Sequence, residues 1–182
     1  MNGGMRHLTP IPIHPSVEHG DRVRVGHGVV IDENVVIGCN VLIGHNVVIR
    51  CGTRIGSDVV IGHNSTIEED VIIDTHTRIQ ANCYITKGTR IGTSVFIGPC
   101  VCTTNDWKIA THGRPIEWKL EPATIHHGAR IGARVLLMPG VVVGENALVG
   151  AGSIIACDIP KNAIFHGDRA YDTGVVPVKE RI

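Results

Sequence analysis

The side chains of this 182-residue chain that are suited to chemistry fall into three groups. The first is Thr104, Asn105, Asp106 and Trp107, followed at short range by His112. A carboxylate such as Asp106 beside an amino group would favour the ammonium form and orient it. A histidine such as His112 would serve a hydroxyl nucleophile as general base. The second group is histidine itself, of which there are eleven. His27, His45 and His63 recur at one constant interval, and His126 and His127 follow the Asp106 stretch. The spaced triplet reads either as metal ligands or as solvated corner residues. His127 is a candidate substrate contact. The third group is aromatic. No Phe, Tyr or Trp precedes Tyr84, and Tyr84, Phe96, Trp107 and Trp118 bracket one short region. These rings would wall a pocket, or else pack against a neighbouring subunit.

A six-residue repeat positions these groups. From Val25, every sixth residue is Val or Ile as far as Ile97, and the register resumes from Ile125 to Ile155 with Val, Ile or Leu. A fixed short period over most of a chain marks a solenoid, and six residues point to a parallel β-helix. With the aliphatic residue as position one, position two is often Gly, as at Gly26, Gly44 and Gly62. Position four is mostly Asn, Asp or Gly, as at Asn34, Asp58 and Gly88. Those types tolerate positive φ, so a corner belongs there. Positions five and one are two apart and point inward from one short strand, while position six points outward. Three hexads make a triangular coil, which is also the interval of the histidine triplet. The in-register hexads predict a little over six coils. Tyr84 and Phe96 both take outward position six. Apolar outward residues such as Val30, Val36, Leu42, Val48, Val60 and Ile72 predict self-association.

The chain reads as one all-β domain over residues 1–182. Residues 13–102 form a first run of coils, 103–124 a protruding loop, 125–158 a second run, and 159–182 a C-terminal tail. The aperiodic loop, with Asn105, Asp106 and Trp107 at its root, is the natural wall for a binding site on a fold without a deep cleft. The net charge is zero, from 17 acidic and 17 basic residues. That excludes a general electrostatic grip on nucleic acid or on a membrane surface. No apolar run is long enough to span a bilayer. The six cysteines form no CxxC pair, and Cys83 stands at an inward position, so free thiols and a cytoplasmic setting are expected.

The hexads resemble those of the hexapeptide-repeat acyltransferases, whose fold is a left-handed β-helix. The hand is implied by that resemblance, since the right-handed crossover rule predicts the opposite. The stretch Ile97-Gly98-Pro99 running into Thr104-Asn105-Asp106 resembles nucleotide-sugar N-acetyltransferases of this family. In the related O-acetyltransferases a catalytic histidine follows the same turn, at a distance occupied here by Lys108. The segment Ile79-Gln80-Ala81-Asn82 is similar to an I-Q-N-N segment whose second Asn helps hold the reacting amine. Asn82 is otherwise a turn residue in the column of Asn46 and Asn64. The run from Val149 to Pro160, including Gly152-Ser153, resembles the end of acyl-CoA-dependent members. There the pantetheine arm meets backbone at positions matching Ala133, Ala151 and Ala156. An Arg that helps bind CoA phosphates is matched by Arg169, here in Gly167-Asp168-Arg169-Ala170, with Lys161 as a second candidate.

The resemblance thus implies an acetyl-CoA-dependent N-acetyltransferase acting on a nucleotide-linked amino sugar, a homotrimer with sites between prisms, and no metal. Asn82, Asn105 and Asp106 would be catalytic, and Tyr84, Trp107 and His127 would bind substrate. A neutral sugar amine attacks a thioester unaided, so orientation supplies much of the rate. The alternatives are an O-acetyltransferase using His112 as base, a zinc enzyme of the carbonic anhydrase type that shares this fold, and a non-catalytic scaffold.

Overall fold

Position four sets the shape of the coil. In the computed structural model, which describes residues 13–108, 119–167 and 171–175, this position bends the chain in hexad after hexad. Asn34, Asn40, Asn46, Asp58, Asn64, Asp70 and Asn82 take φ between 54° and 60°. Gly28, Gly52 and Gly88 take the same left-handed conformation. So do His76 and also Arg22, Ser94, Cys100 and Arg134, the last four of types that lack the usual preference for it. Each of these costs roughly 1–2 kcal/mol locally, so stacking against neighbouring coils overrides residue type.

Between corners run two-residue strands such as Val30–Ile31 and Tyr84–Ile85. Each pairs in parallel with the strand three hexads further on, as Val30 does with Val48. The strands stack into three sheets, one per side of a left-handed parallel β-helix. The first face begins at Glu18–His19, the second at Arg24–Val25 and the third at Val30–Ile31. Positions one and five fill the interior: Ile49, Ile67 and Ile79 are sealed, as are Val29, Val35 and Val41. Where position five is a hydroxyl, it is satisfied. Thr53, Ser65 and Thr77 donate to the carbonyls of Glu68, Gln80 and Gly92 at 2.7, 3.2 and 2.8 Å, as buried polar groups require.

The turn count and the C-terminal boundary differ from the sequence expectation, while the coil begins at Ile13 as expected. The first and third sheets are 7-stranded, and single bridges from Ile159 to Val143 and from Ile13 to Ile31 add a rung to each. The coil therefore makes about eight turns where a little over six were expected. At the start, Glu18–His19 pairs with Val36–Ile37 although a histidine holds the aliphatic slot. That slot lies at the open end of the prism, where His19 is exposed and no apolar residue is needed. At the other end the coil continues past Ile159, and Val149 pairs with Phe165, short of the usual three-hexad interval. One turn is thus contracted, so the six-residue register vanishes while the stacking persists. Ile159, Ala163 and Phe165 are buried in the same core. The hairpin of Ala163–His166 with Tyr171–Val175 extends the second sheet in antiparallel fashion. The aperiodic stretch leaves the coil unbroken: Arg90 pairs with Thr124 and Cys102 with Leu136, each across a coil lengthened by the insertion. No helix among the described residues is long and apolar enough to cross a membrane.

Candidate functional site

The edge between the second and third faces carries an ordered row of imidazoles. His27 and His45 stack with ring centroids 5.2 Å apart and planes within 3°, and His45 and His63 do so at 4.9 Å and 9°. The reason lies in the corner. The backbone N–H of His27 donates to Nδ1 of His45 at 2.8 Å, and that of His45 donates to Nδ1 of His63 at 2.7 Å. A neutral imidazole whose Nδ1 accepts a hydrogen bond carries its proton on Nε2. His45 and His63 therefore present Nε2–H donors outward, which decides between the two readings of the triplet. Parallel rings with protonated outer nitrogens cannot converge on one ion. Among the described residues, no group of three or more His, Cys, Asp or Glu could hold a metal ion.

Beside the imidazoles runs a parallel column of amides. Asn46 Nδ2 donates to Asn64 Oδ1 at 3.2 Å. Asn82 is next, with φ of 60° and its N–H on the His63 carbonyl at 2.9 Å. Its side chain is exposed. The same edge continues through Ala133 and Ala151, where backbones pack closely. A Cβ on Gly98 would lie 2.7 Å from the Ala133 nitrogen, and one on Gly132 would lie 2.5 Å from that of Ala151. Asn82, Ala133 and Ala151 thus share one prism edge, with Asn82 below the two alanines.

Asn105 and Asp106 stand on a different edge, between the third and first faces, where the loop leaves the coil. Asn105 Nδ2 donates to the Lys87 carbonyl at 3.3 Å, and the Asn105 carbonyl accepts from the Glu121 N–H at 2.8 Å. These bonds pin the loop root to the coil below and to its own return. Asp106 Oδ1 accepts from the Lys108 N–H at 2.8 Å. Trp107 is exposed. Tyr84 projects from the third face toward this edge, and its hydroxyl donates to Glu68 Oε1. Glu68 Oε2 accepts from the Lys87 N–H at 2.9 Å. The hydrogen bond to Glu68, then burial and then the Glu68 charge push the Tyr84 phenol up to about 12. Burial, then the Glu68 charge, also raises the neighbouring Cys102 thiol. Beneath the loop root, Thr86, Thr89 and Thr103 form a buried hydroxyl cluster, with Thr86 and Thr103 oxygens 2.8 Å apart.

Glu68 was missed in the sequence. The signal was present, since it occupies position two, where glycine is common, one coil below Thr86. What the sequence hid was that Tyr84 leans diagonally across one coil to reach it.

The remaining candidates are dispersed. Phe96 lies on the second face and Tyr84 on the third, so they do not form one aromatic cluster. They are two hexads apart, two-thirds of a coil, which turns one ring a whole side away from the other. His127 is on the edge between the first and second faces, in the column of Glu145 and Lys161. Lys161 Nζ lies 2.7 Å from Glu145 Oε2, and its hydrogen bond lowers the Glu145 carboxyl. Ala156 is on the loop edge, apart from Ala133 and Ala151. His112, Trp118 and Arg169 lie outside the described residues.

Known proteins bear on this geometry. The model of the bacterial transferase hexapeptide family, six repeats long, matches residues 34–69, 52–87 and 122–157. A galactoside O-acetyltransferase of Escherichia coli is 36% identical over 67 residues, which are 32% of this chain and 33% of that protein. A dTDP-3-amino-3,6-dideoxy-alpha-D-galactopyranose 3-N-acetyltransferase of Aneurinibacillus thermoaerophilus is 42% identical over 52 residues, 29% of this chain and 27% of that protein. The chain spans a third or less of the length of these two relatives. A hexapeptide-repeat acetyltransferase of Vibrio cholerae O1 biovar eltor, solved with acetyl-CoA, superposes with a TM-score of 0.52 at 25% identity, over 64% of this chain and 70% of that one.

Proposed function

We propose that this chain, which belongs to the bacterial transferase hexapeptide family, is an acetyl-CoA-dependent N-acetyltransferase acting on a nucleotide-linked amino sugar in the cytoplasm. The observation that carries this reading is the alignment of Asn82 with Ala133 and Ala151 along one prism edge. Small residues there leave the backbone open to an extended pantetheine chain, and an exposed amide waits where the thioester would end. The relatives that act on sugars support the substrate class, and the Vibrio protein solved with acetyl-CoA supports the co-substrate.

In the reaction, the sugar nitrogen attacks the thioester carbonyl. The new N–C bond forms, the C–S bond breaks, and the electron pair leaves with the CoA sulfur. The proton lost by nitrogen goes to that thiolate or to water. Asp106 favours binding of the ammonium form, which gives one proton to water before attack, and Asn82 orients the resulting neutral amine by accepting one of its hydrogens. Two prism edges hold these residues, and a homotrimer brings them together. In a ring with threefold symmetry each interface joins unlike surfaces of two copies, so the loop edge of one copy, with Asn105, Asp106 and Trp107, faces the Asn82 edge of the next. Exposed Tyr84 and Ile154 supply apolar surface for that contact.

The test is CoA thiol release from acetyl-CoA against a panel of nucleotide amino sugars, with products checked by mass. Turnover with an amino sugar and none with its hydroxyl counterpart supports the reading. Turnover of hydroxyl sugars alone, abolished by His112→Ala, would replace it with O-acetylation, the reaction of the Escherichia coli relative.

A further inference from the structure

The histidine edge holds a feature with no part in the acyl transfer itself. Between the outward side chains of the second face and the imidazole row lies a trough of about 420 Å³. Its floor is backbone at Gly26, Gly44 and Gly62, where no side chain fits. A Cβ on Gly44 would meet the His63 nitrogen at 2.7 Å, and one on Gly62 would press against the Ala81 nitrogen. One wall is apolar, from Leu42 and Val60. The other is His45 and His63, with Gln80 at the upper end, beside Asn82, and Arg24 at the lower.

We infer that this trough binds the diphosphate of a nucleoside diphosphate, whose phosphoryl oxygens take the Nε2–H donors of His45 and His63 and the charge of Arg24. The donors are fixed before any ligand arrives, because each Nδ1 is engaged by the backbone of the preceding coil. The stacked rings repeat at 4.9 Å, a spacing that the outer oxygens of two linked phosphoryl groups can bridge. Hydrogen bonds to charged oxygens are stronger than those to neutral acceptors. The residues lining the trough include one guanidinium and no carboxylate, so an anion meets attraction alone. The apolar wall of Leu42 and Val60 offers a flat base a dry surface. A diphosphate here points its sugar toward Gln80 and Asn82, so the site supplies the handle by which the proposed enzyme would hold its acceptor. In that sense the inference rests on the reading above, but diphosphate binding can be measured without any turnover.

The test is calorimetric titration of the full chain with UDP, dTDP and inorganic pyrophosphate, with uridine and thymidine as uncharged controls. The diphosphates should bind at least about tenfold more tightly than the nucleosides. In His45→Asn/His63→Asn the amide oxygen replaces Nδ1 as acceptor for the backbone N–H, and the shorter NH2 group no longer places a donor where Nε2–H stood. UDP and dTDP should then bind at least about tenfold more weakly, with acetyl-CoA affinity unchanged. Arg24→Gln, which alters an exposed strand side chain and leaves the ladder intact, should also weaken diphosphate binding. Diphosphate affinities that match the nucleosides, or that persist in both variants, overturn the inference. If turnover is found and the double variant keeps the same KM for the nucleotide sugar, the trough is refuted and the acetyltransferase stands. If no amino sugar is ever acetylated but the double variant loses diphosphate binding, the trough stands alone.

Discussion

Replacing Glu68 by Gln tests whether the third face carries a held phenol beside the loop root. In the folded chain the Tyr84 hydroxyl donates to Glu68 Oε1, and its midpoint rises from 10.0 to about 12. The size is reasonable from first principles. A phenolate and a carboxylate at about 2.7 Å, an ordinary separation for such a bond, repel by roughly 1.5 kcal/mol even at the dielectric of water. Losing a hydrogen bond to a charged acceptor adds about 1.5–3 kcal/mol before discounting for solvent. Two pH units correspond to about 2.7 kcal/mol, within that sum. Near-ultraviolet absorbance of tyrosinate, read against pH in a Tyr171→Phe background, reports Tyr84 alone. The midpoint should lie near 12 and fall back toward 10.0 in Glu68→Gln. The sign for stability follows. The folded midpoint exceeds the unfolded one, so the pair's contribution is whole below pH 10 and is lost as pH climbs from 10 toward 12. A midpoint near 10.0 before the substitution, with the fold intact by circular dichroism, would refute the reasoning.

Other outcomes follow from the same geometry. Asn82→Ala should lower kcat/KM for the amino sugar by roughly 10- to 100-fold, the range for losing one orienting contact, and leave acetyl-CoA affinity unchanged by calorimetry. His112→Ala should leave N-acetylation intact, read as thiol release. Gly62→Ala drives a Cβ into the backbone of the next coil at Gln80 and Ala81. It should cost about 1–3 kcal/mol, the usual penalty for overpacking, visible as a lower urea midpoint.

How far the site was legible depended on whether its residues lie on the repeat. The stacking of His27, His45 and His63 followed from their spacing, because one coil returns a residue to the same edge. The spacing already favoured solvated corner residues over metal ligands, since the column runs on through Ala81 and Pro99, and the backbone bonds to Nδ1 of His45 and His63 add the tautomer to that reading. Ala133 and Ala151 share an edge for the same periodic reason, but that it is also the edge of Asn82 depends on where the chain re-enters the coil after the loop, with Arg130 pairing to Phe96. Asn105 and Asp106 are aperiodic, and their edge could not be read from a pattern they do not share. Tyr84 and Phe96 show the opposite error. Both are at position six, but that position defines only outwardness, and which of three sides a residue takes depends on its phase within the coil.

The sequence by itself determined the coil: which residues turn inward, where the corners bend, and that a loop interrupts the stack without breaking it. Those are local consequences of side-chain size, apolarity and tolerance of positive φ, repeated until they leave no choice. Tertiary structure decided what adjoins across coils. The proton of each imidazole, the reach of Tyr84 to Glu68, the glycine-floored trough and the shortened last turn past Asp158 all depend on contacts between residues about one coil apart in sequence. Such contacts exist only once stacking fixes one coil against the next.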